Sequence, residues 1–388
     1  MKVAKIAIIG GGLTGLVAAY RLVQKGHKVT VFERGESLGG LMGGFKIGDT
    51  YLEKTYHHIF RKDREIIRLI EELGLIDKLK WYQDKTAMVY DKKIYSFASA
   101  VDLLRFKPLG LVDKLRLGLV KIYLEKENNW KKFEKITAVE WMKTWCGKRA
   151  FEVVWEPLVH GKFGQYADQI SMAWLWARVH SRGSGGLGYL AGGFQQIVDE
   201  LAKRIKEKGG TIKLNYAIPA GGQLSITNYE LKKFDRVMYT GPIQGIKYIG
   251  AVCLVFTSKQ NLSPYYWHNI NESDSPFLAF IQHTNLVDRS MYDGKHVYYL
   301  GTYGNHEQSV DGWFDYLKKM FPNFDKNLVE EKFVFRFKTA QHIVTCEYQI
   351  PSYKVNENLY QVSFAQIYPE DRGMNFAVRE GDKAANFR

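Results

Sequence analysis

Cysteine is scarce in this chain: Cys146, Cys253 and Cys346 are the only three in 388 residues. They are far apart and form neither a CxxC pair nor a zinc-type spacing, which argues against a disulfide framework and fits a reducing cytoplasm. Long apolar runs are also missing. Nowhere do about 18 apolar residues follow one another, so no transmembrane helix is expected. The apolar stretch in "MKVAKIAIIGGG" is too short for a signal peptide before the glycines begin. No internal repeat or low-complexity linker divides the sequence. No dense block of lysine and arginine occurs, which removes the usual footprint of a DNA- or RNA-binding protein.

A basic excess is present instead. The formal charge is +14, spread along the chain. It favours small anionic partners such as nucleotides, phosphorylated substrates or acidic lipid headgroups, and it also serves solubility. The 24 tyrosines and 22 phenylalanines suit a chain that lines pockets as well as filling a core. The length fits one large domain or two intertwined ones, at roughly 150 residues each.

The strongest local signal is "KIAIIGGGLTGLVAAYRLVQKGHKVTVFERG", residues 5–35. A short apolar strand runs into Gly10-x-Gly12-x-x-Gly15, and a helix follows to Gln24. Gly26 stops that helix, and a second strand ends at Glu33. Gly10 permits the tight turn, Gly12 lets a pyrophosphate approach the backbone, and Gly15 allows helix and strand to pack closely. The helix N-terminus, with Leu13 and Thr14 in its first turn, offers N–H groups to phosphate. Glu33 stands where a carboxylate accepts hydrogen bonds from a ribose, with Arg34 beside it. This unit fits NAD and FAD equally.

The next segment, "ESLGGLMGGF" (36–45), carries the pairs Gly39-Gly40 and Gly43-Gly44. Here the chain resembles the flavin amine oxidase, protoporphyrinogen oxidase and phytoene desaturase superfamily. The resemblance implies that Gly39-Gly40 runs along the dinucleotide of FAD. Many members have an arginine two residues before the pair and another just after it. This chain has Ser37 and Leu41 there. The C-terminus, "AQIYPEDRGMNFAVREGDKAANFR", resembles the superfamily's second FAD motif, in which a glycine turn opens a final helix aimed at the flavin pyrimidine ring. That role falls on Gly373, Asn375 and Ala377, with Asp371 and Arg372 just before. No cysteine lies at a recognisable attachment motif, so the FAD is expected to be non-covalent.

The implied fold is α/β: a Rossmann-like FAD-binding domain of the GR2 type, an inserted helical cap and a mostly antiparallel substrate sheet. The expected boundaries are 1–98, 186–245 and 358–388 for the FAD-binding domain, 99–185 for the cap and 246–357 for the sheet. Asp63 is a plausible N-cap for a helix over 63–75, and Thr137 and Glu140 read as a capping box.

Residues 54–63 read "KTYHHIFRKD". His57 and His58 point to opposite faces if the segment is extended. Half a metal site, an acid/base, a cofactor neighbour and core packing all remain open, although no spaced His/Glu partner supports a metal. The stretch is similar to the Pro-His-Ile-Phe-His of UDP-galactopyranose mutases, whose first histidine lies close to the flavin. His58-Ile59-Phe60 matches that core, which makes His58 the stronger cofactor neighbour. His57 stands at their proline and Arg61 at their second histidine.

Other candidates compete with plain structural roles. Trp155, His160 and Lys162 in "WEPLVHGKFG" make a substrate wall or a satisfied helix end. Arg178, with His180, meets an anionic substrate or a solvated helix face. Gln341 faces the flavin or is an ordinary strand residue. Residues 111–126 rest on a membrane or pack as a cap helix. The resemblance implies an FAD-dependent oxidoreductase that moves a hydride from a small organic substrate to flavin N5, cytoplasmic or peripheral to a membrane. Two alternatives stand beside it: a mutase-like enzyme acting on a nucleotide sugar without net redox change, and a non-catalytic flavin-binding protein.

Overall fold

The structure is a computed structural model that describes residues 3–181, 185–217 and 231–387. A parallel five-stranded sheet has the order Thr211–Lys213, Lys28–Phe32, Lys5–Ile9, Arg236–Tyr239, Leu359–Gln361. Its strands are apolar on both faces because both are covered. Ile6 and Ile8 face the large core that also holds the helices Leu13–Gln24, Gln195–Glu207 and Met374–Ala384, while Ala7 and Ile9 join a smaller cluster with Phe32, Leu231 and Leu359.

The first and last helices touch closely. A Cβ on Gly381 would lie 2.7 Å from Val17 Cβ and 2.8 Å from Thr14 O, so only glycine allows the approach. Arg21 ties the pair to the helix Arg64–Glu72, at 2.6 Å from Glu72 and 2.7 Å from Asp382. All three side chains are partly exposed, so each ion pair contributes little, about 1 kcal/mol or less.

The second sheet has seven strands in the order Val329–His342, Tyr248–Ser258, His296–Gly304, Ala279–Gln282, Trp267–Ile270, Thr86–Tyr90, Lys93–Ser96. It is antiparallel except where Trp267–Ile270 runs beside Thr86–Tyr90. This sheet therefore reaches outside the expected range 246–357. The hairpin turning at Asp91-Lys92 joins it because its first strand is buried on both faces: Met88 packs into the helical insert and Val89 against the cluster around Trp313. Both turn residues have positive φ, 49° and 57°, as a two-residue hairpin loop requires. The strand Leu359–Gln361 belongs to the parallel sheet, inside the range 358–388 expected for the FAD-binding domain.

The insert is helical over Ala100–Arg105, Leu111–Lys126, Ala138–Cys146, Glu156–Phe163 and Met172–Ser181, around a core of Phe133, Trp141, Phe151, Phe163 and Trp174. Thr137 accepts from Glu140 N at 3.2 Å and caps Ala138–Cys146. Among the described residues no helix is long and apolar enough to cross a membrane.

Candidate active site

The glycine loop is built as its spacing requires. A Cβ on Gly15 would come 2.1 Å from Gly10 O, so strand and helix meet only across a glycine. A Cβ on Gly12 would touch nothing within 4 Å, which leaves that side of the loop open. Gly12 opens the helix Leu13–Gln24 with no side-chain cap and no acid in its first turn. The positive end of the helix is left for an anion. Glu33 accepts from Gly11 N at 2.7 Å and Gly35 N at 2.8 Å, which holds its carboxylate against the loop, while Arg34 is exposed. Gly39 N donates to Gly11 O at 2.8 Å, so the pair Gly39-Gly40 lies on the nucleotide loop, both residues in the left-handed region. Leu41 follows in a short turn and offers no charge.

At the other end, Gly373 opens the helix Met374–Ala384, again without a side-chain cap or an acid in the first turn. Asn375 does not point its amide oxygen at this opening. That oxygen accepts from Glu65 N at 2.8 Å and Ile66 N at 3.3 Å, capping the helix Arg64–Glu72. Asp63 sits at that helix's N-cap position but accepts from Phe60 N instead, at 2.8 Å. Ala377 packs on the core below the first helix.

Between these ends lies a cluster drawn from three parts of the chain. Asp371 accepts from Lys162 Nζ at 3.0 and 3.3 Å, from Trp174 Nε1 at 3.3 Å and from Arg178. Arg372 Nη2 lies 3.3 Å from the Tyr303 hydroxyl. Lys162 is 4% exposed, and its ammonium stands 4.9 Å from the Trp174 ring centre and 5.1 Å from that of Tyr303. Burial alone would raise the Asp371 carboxyl, but Lys162, Arg178 and Arg372 outweigh it and hold it well below the carboxylate range. Burial also pushes the Tyr303 hydroxyl up; here Lys162 and Arg372 prevail and lower it. Three basic side chains thus gather at one carboxylate beside the rings of Trp174 and Tyr303; burial pulls the Lys162 ammonium below its usual range, with Asp371 opposing, so the surplus positive charge rests on Arg178 and Arg372.

Among the described residues, several buried polar atoms here have no hydrogen-bond partner: Arg372 Nε, Gln341 Oε1 and both ring nitrogens of His342, and, elsewhere, Trp155 Nε1. His342 is fully buried and its pKa is lowered to about 4 by burial, with Asp371, Lys162 and Arg372 all acting on it. Unsatisfied buried groups are costly, and a bound polar ligand is one way to satisfy a cluster of them.

The two histidines divide. His57 Nδ1 lies 2.7 Å from Thr55 O, which can only accept, so Nδ1 carries the proton. Burial lowers His57 to about 4, and Arg372 adds to the effect, so the ring is neutral. His58 turns into aromatic packing with Phe60, Tyr266 and Trp267, its Nδ1 3.4 Å from the Tyr266 hydroxyl. Arg372 thus acts on His57, the histidine that the motif match did not favour. Arg61 stacks on Trp81 at 4.3 Å and donates to Gly185 O, away from Asp371. Of the expected substrate residues, Lys162 from the wall and Arg178 enter the cluster. His160 does not: its side chain is 41% exposed and lies 3.7 Å from Asp168. Trp174, Tyr303 and His342 were missed. Trp174 stands one helical turn before Arg178, a spacing that exposes it to the same partner; Tyr303 and His342 carry no such local mark. Among the described residues no group of three His, Cys, Asp or Glu side chains gathers as a metal site.

Residues 13–279, more than half of the chain, match the family model described as flavin containing amine oxidoreductase. The chain belongs to that family. Among curated relatives, a protein named probable flavin-containing monoamine oxidase A of Dictyostelium discoideum is 25% identical over 229 residues, which are 53% of this chain and 49% of that one. The aligned segments span about half, or less, of the length of the first curated relatives. An oxidoreductase structure from Methanosarcina mazei superposes with a TM-score of 0.71 at 15% identity, covering 98% of this chain and 99% of that one. Reduced UDP-galactopyranose mutase superposes with a TM-score of 0.73 at 14% identity, covering 99% and 95%. At such identities these likenesses concern the fold alone.

The family implies a flavin. The residues fit one: the open side of Gly12, two helix N-termini without side-chain caps and the orphaned polar atoms near Arg372 are what a dinucleotide with a polar ring system needs.

Proposed function

We propose that this family member is an FAD-dependent oxidoreductase acting on a small molecule that carries an anionic group. Bound non-covalently, the FAD supplies a hydride acceptor; the rest is the work of the chain. Gly12 and the N-terminus of Leu13–Gln24 would hold the pyrophosphate, Glu33 the ribose, and the N-terminus of Met374–Ala384 the anionic edge of the ring system. The observation that carries the substrate class is the surplus of basic groups: with Lys162 pulled down by burial, the guanidinium groups of Arg178 and Arg372 still act together on the one carboxylate of Asp371. Arginine and lysine in a water-poor setting hold a carboxylate or phosphate firmly, which fixes the substrate's orientation. Trp174 and Tyr303 wall the cations with aromatic surface and exclude water. The Tyr303 hydroxyl, lowered beside Lys162 and Arg372, is suited to hold or release a proton there. His57, neutral with its proton on Nδ1, contributes an acceptor at Nε2 and no positive charge. Unpaired cysteines, two of them buried, agree with a cytoplasmic setting.

The test starts from the visible spectrum of the purified protein before and after denaturation. Flavin bands that pass into solution on unfolding support non-covalent FAD. Anaerobic mixing with amino acids and other anionic amines or acids should then bleach the bands, and cationic amines lacking an acid group should not. A colourless protein that refuses added FAD would end this reading.

A second reading keeps the same site for a nucleotide sugar turned over without net redox change. The cation cluster favours it, because a diphosphate would satisfy Lys162, Arg178 and Arg372 together. Turnover that requires prior reduction and consumes no electron acceptor would select it.

A further inference from the structure

The helix Leu111–Lys126 is apolar on two sides. Leu117, Val120 and Leu124 are buried in the core of the insert. On the opposite arc Leu111, Val112, Leu115, Leu119 and Ile122 are 49% to 69% exposed. The spacing 111, 115, 119, 122 makes one stripe about three turns long. The adjoining helix Ala100–Arg105 adds Val101 and Leu104, 52% and 56% exposed. A helix on a protein surface normally turns polar residues outward, and a continuous apolar patch marks a binding face.

Charge identifies the partner. Residues 100–126 carry six cations and three acids. Of the acids, Asp102 is spent on the capping box with Ser99, and Glu125 pairs with Lys121 at 2.6 Å. Arg105, Lys107, Arg116 and Lys126 stand exposed around the stripe. Tyr123 and Trp145, 45% and 56% exposed, lie at its margin, and Arg116 joins that margin by donating to Trp145 O at 3.1 Å. A second copy docking through a two-fold axis would bring these cations against themselves. A sheet of anionic headgroups over acyl chains matches every element: aliphatic side chains inward, aromatic rings at the boundary, lysine and arginine at the phosphates.

We propose that the face formed by helices Ala100–Arg105 and Leu111–Lys126 docks on the surface of an anionic lipid bilayer. The docked helix packs on Met172–Ser181, which carries Trp174 and Arg178: Trp176 Nε1 donates to Glu127 O at 2.8 Å, and His180 Nδ1 lies 3.3 Å from Leu124 O. The membrane therefore lies one helix from the cation cluster. The inference stands on the exposed face and does not depend on the reaction.

The experiment is co-sedimentation of the full chain with vesicles of phosphatidylcholine alone and of phosphatidylcholine mixed with phosphatidylglycerol. The chain should bind the mixed vesicles, less so at high salt, and bind the neutral ones weakly. The double variant Leu115→Ser/Leu119→Ser should bind at least about tenfold less. Its thermal unfolding and any flavin spectrum should match the wild type, because both side chains already face solvent. No binding to the mixed vesicles, or equal binding by wild type and variant, overturns the proposal. So does a dimer in sedimentation velocity that these substitutions abolish, which would assign the face to a second copy.

Discussion

Lys162 Nζ and Asp371 Oδ2 lie 209 residues apart in sequence and 3.0 Å apart in space, and they pin the helical insert to the segment that opens the last helix. Their side chains are 5% and 19% exposed, so neither charge has water to fall back on. The pair is uneven: among the described residues Arg178 also holds Asp371, whereas Lys162 pairs with no other carboxylate.

The two halves of the pair should therefore respond differently. Asp371→Asn leaves Lys162, Arg178 and Arg372 near one another without their carboxylate and should cost about 3–5 kcal/mol of stability in urea unfolding. Lys162→Met keeps Asp371 paired with Arg178 and should cost distinctly less. Its effect should appear in KM for anionic substrates. Equal losses for both variants would mean that Lys162 is not held by Asp371 in the way described.

Gly12 and Gly15 give a second contrast. Alanine at 15 must push against Gly10 O at 2.1 Å, so Gly15→Ala should destabilise the fold itself by about 1–3 kcal/mol or more. Alanine at 12 meets no atom of the described residues within 4 Å, so Gly12→Ala should unfold like the wild type in the absence of flavin yet bind FAD far more weakly. Thermal unfolding and FAD titration of both variants decide the matter. Normal FAD affinity in Gly12→Ala would remove Gly12 from the phosphate site.

These contrasts show what was legible in the sequence. The glycine loop, Glu33 and the two parallel strands around them are local: the residues that make the turn are neighbours in the chain, so spacing reveals them. The same holds for the hairpin at Asp91-Lys92 and for Thr137 as a cap. The parts that escaped are long-range. Asn375 caps a helix more than 300 residues earlier, where Asp63 had the better local claim, because Asp63 is drawn away to Phe60 N. Tyr303 enters the site only because its strand passes beneath Lys162 and Arg372. The pair Thr86–Tyr90 and Lys93–Ser96 reads as part of the nucleotide domain until the parallel pairing with Trp267–Ile270 is seen. For the histidines the motif match favours His58, and the packing of Tyr266 and Trp267 around that ring is a further role that chain order does not show.

That division of the histidines is testable. His57 is neutral and feels Arg372, so His57→Ala should shift the midpoint potential of bound flavin while barely altering stability. His58→Ala removes a ring from an aromatic cluster and should lower stability by about 1–3 kcal/mol with little change in potential. Spectroelectrochemistry and urea unfolding of both variants give four numbers. A potential that moves only with His58 would return the cofactor role to that residue.

A last prediction concerns pH. Glu53 is 1% exposed, accepts from Phe194 N at 2.6 Å and from the Tyr189 hydroxyl at 2.8 Å, and is pushed by burial from 4.5 to about 7. The two hydrogen bonds pull the other way without cancelling that effect. Between pH 4.5 and 7 the folded chain therefore holds a proton at Glu53 that the unfolded chain has released. Stability contributed by this group is full below the unfolded value, falls as pH rises through that window, and is level above it. A shift of this size corresponds to roughly 3 kcal/mol. Glu53→Gln keeps an oxygen for Phe194 N and cannot ionise. The stability of the wild type relative to Glu53→Gln should thus decline by about that amount from pH 4.5 to pH 7.5, measured by urea unfolding at a series of fixed pH values. Buried neutral histidines such as His268 and His342, both lowered to about 4, give the whole protein a slope of the opposite sign at acid pH. They are common to both proteins and drop out of the difference. Parallel curves for the two would mean that Glu53 is ionised in the folded core at pH 5 and that water or a cation reaches it.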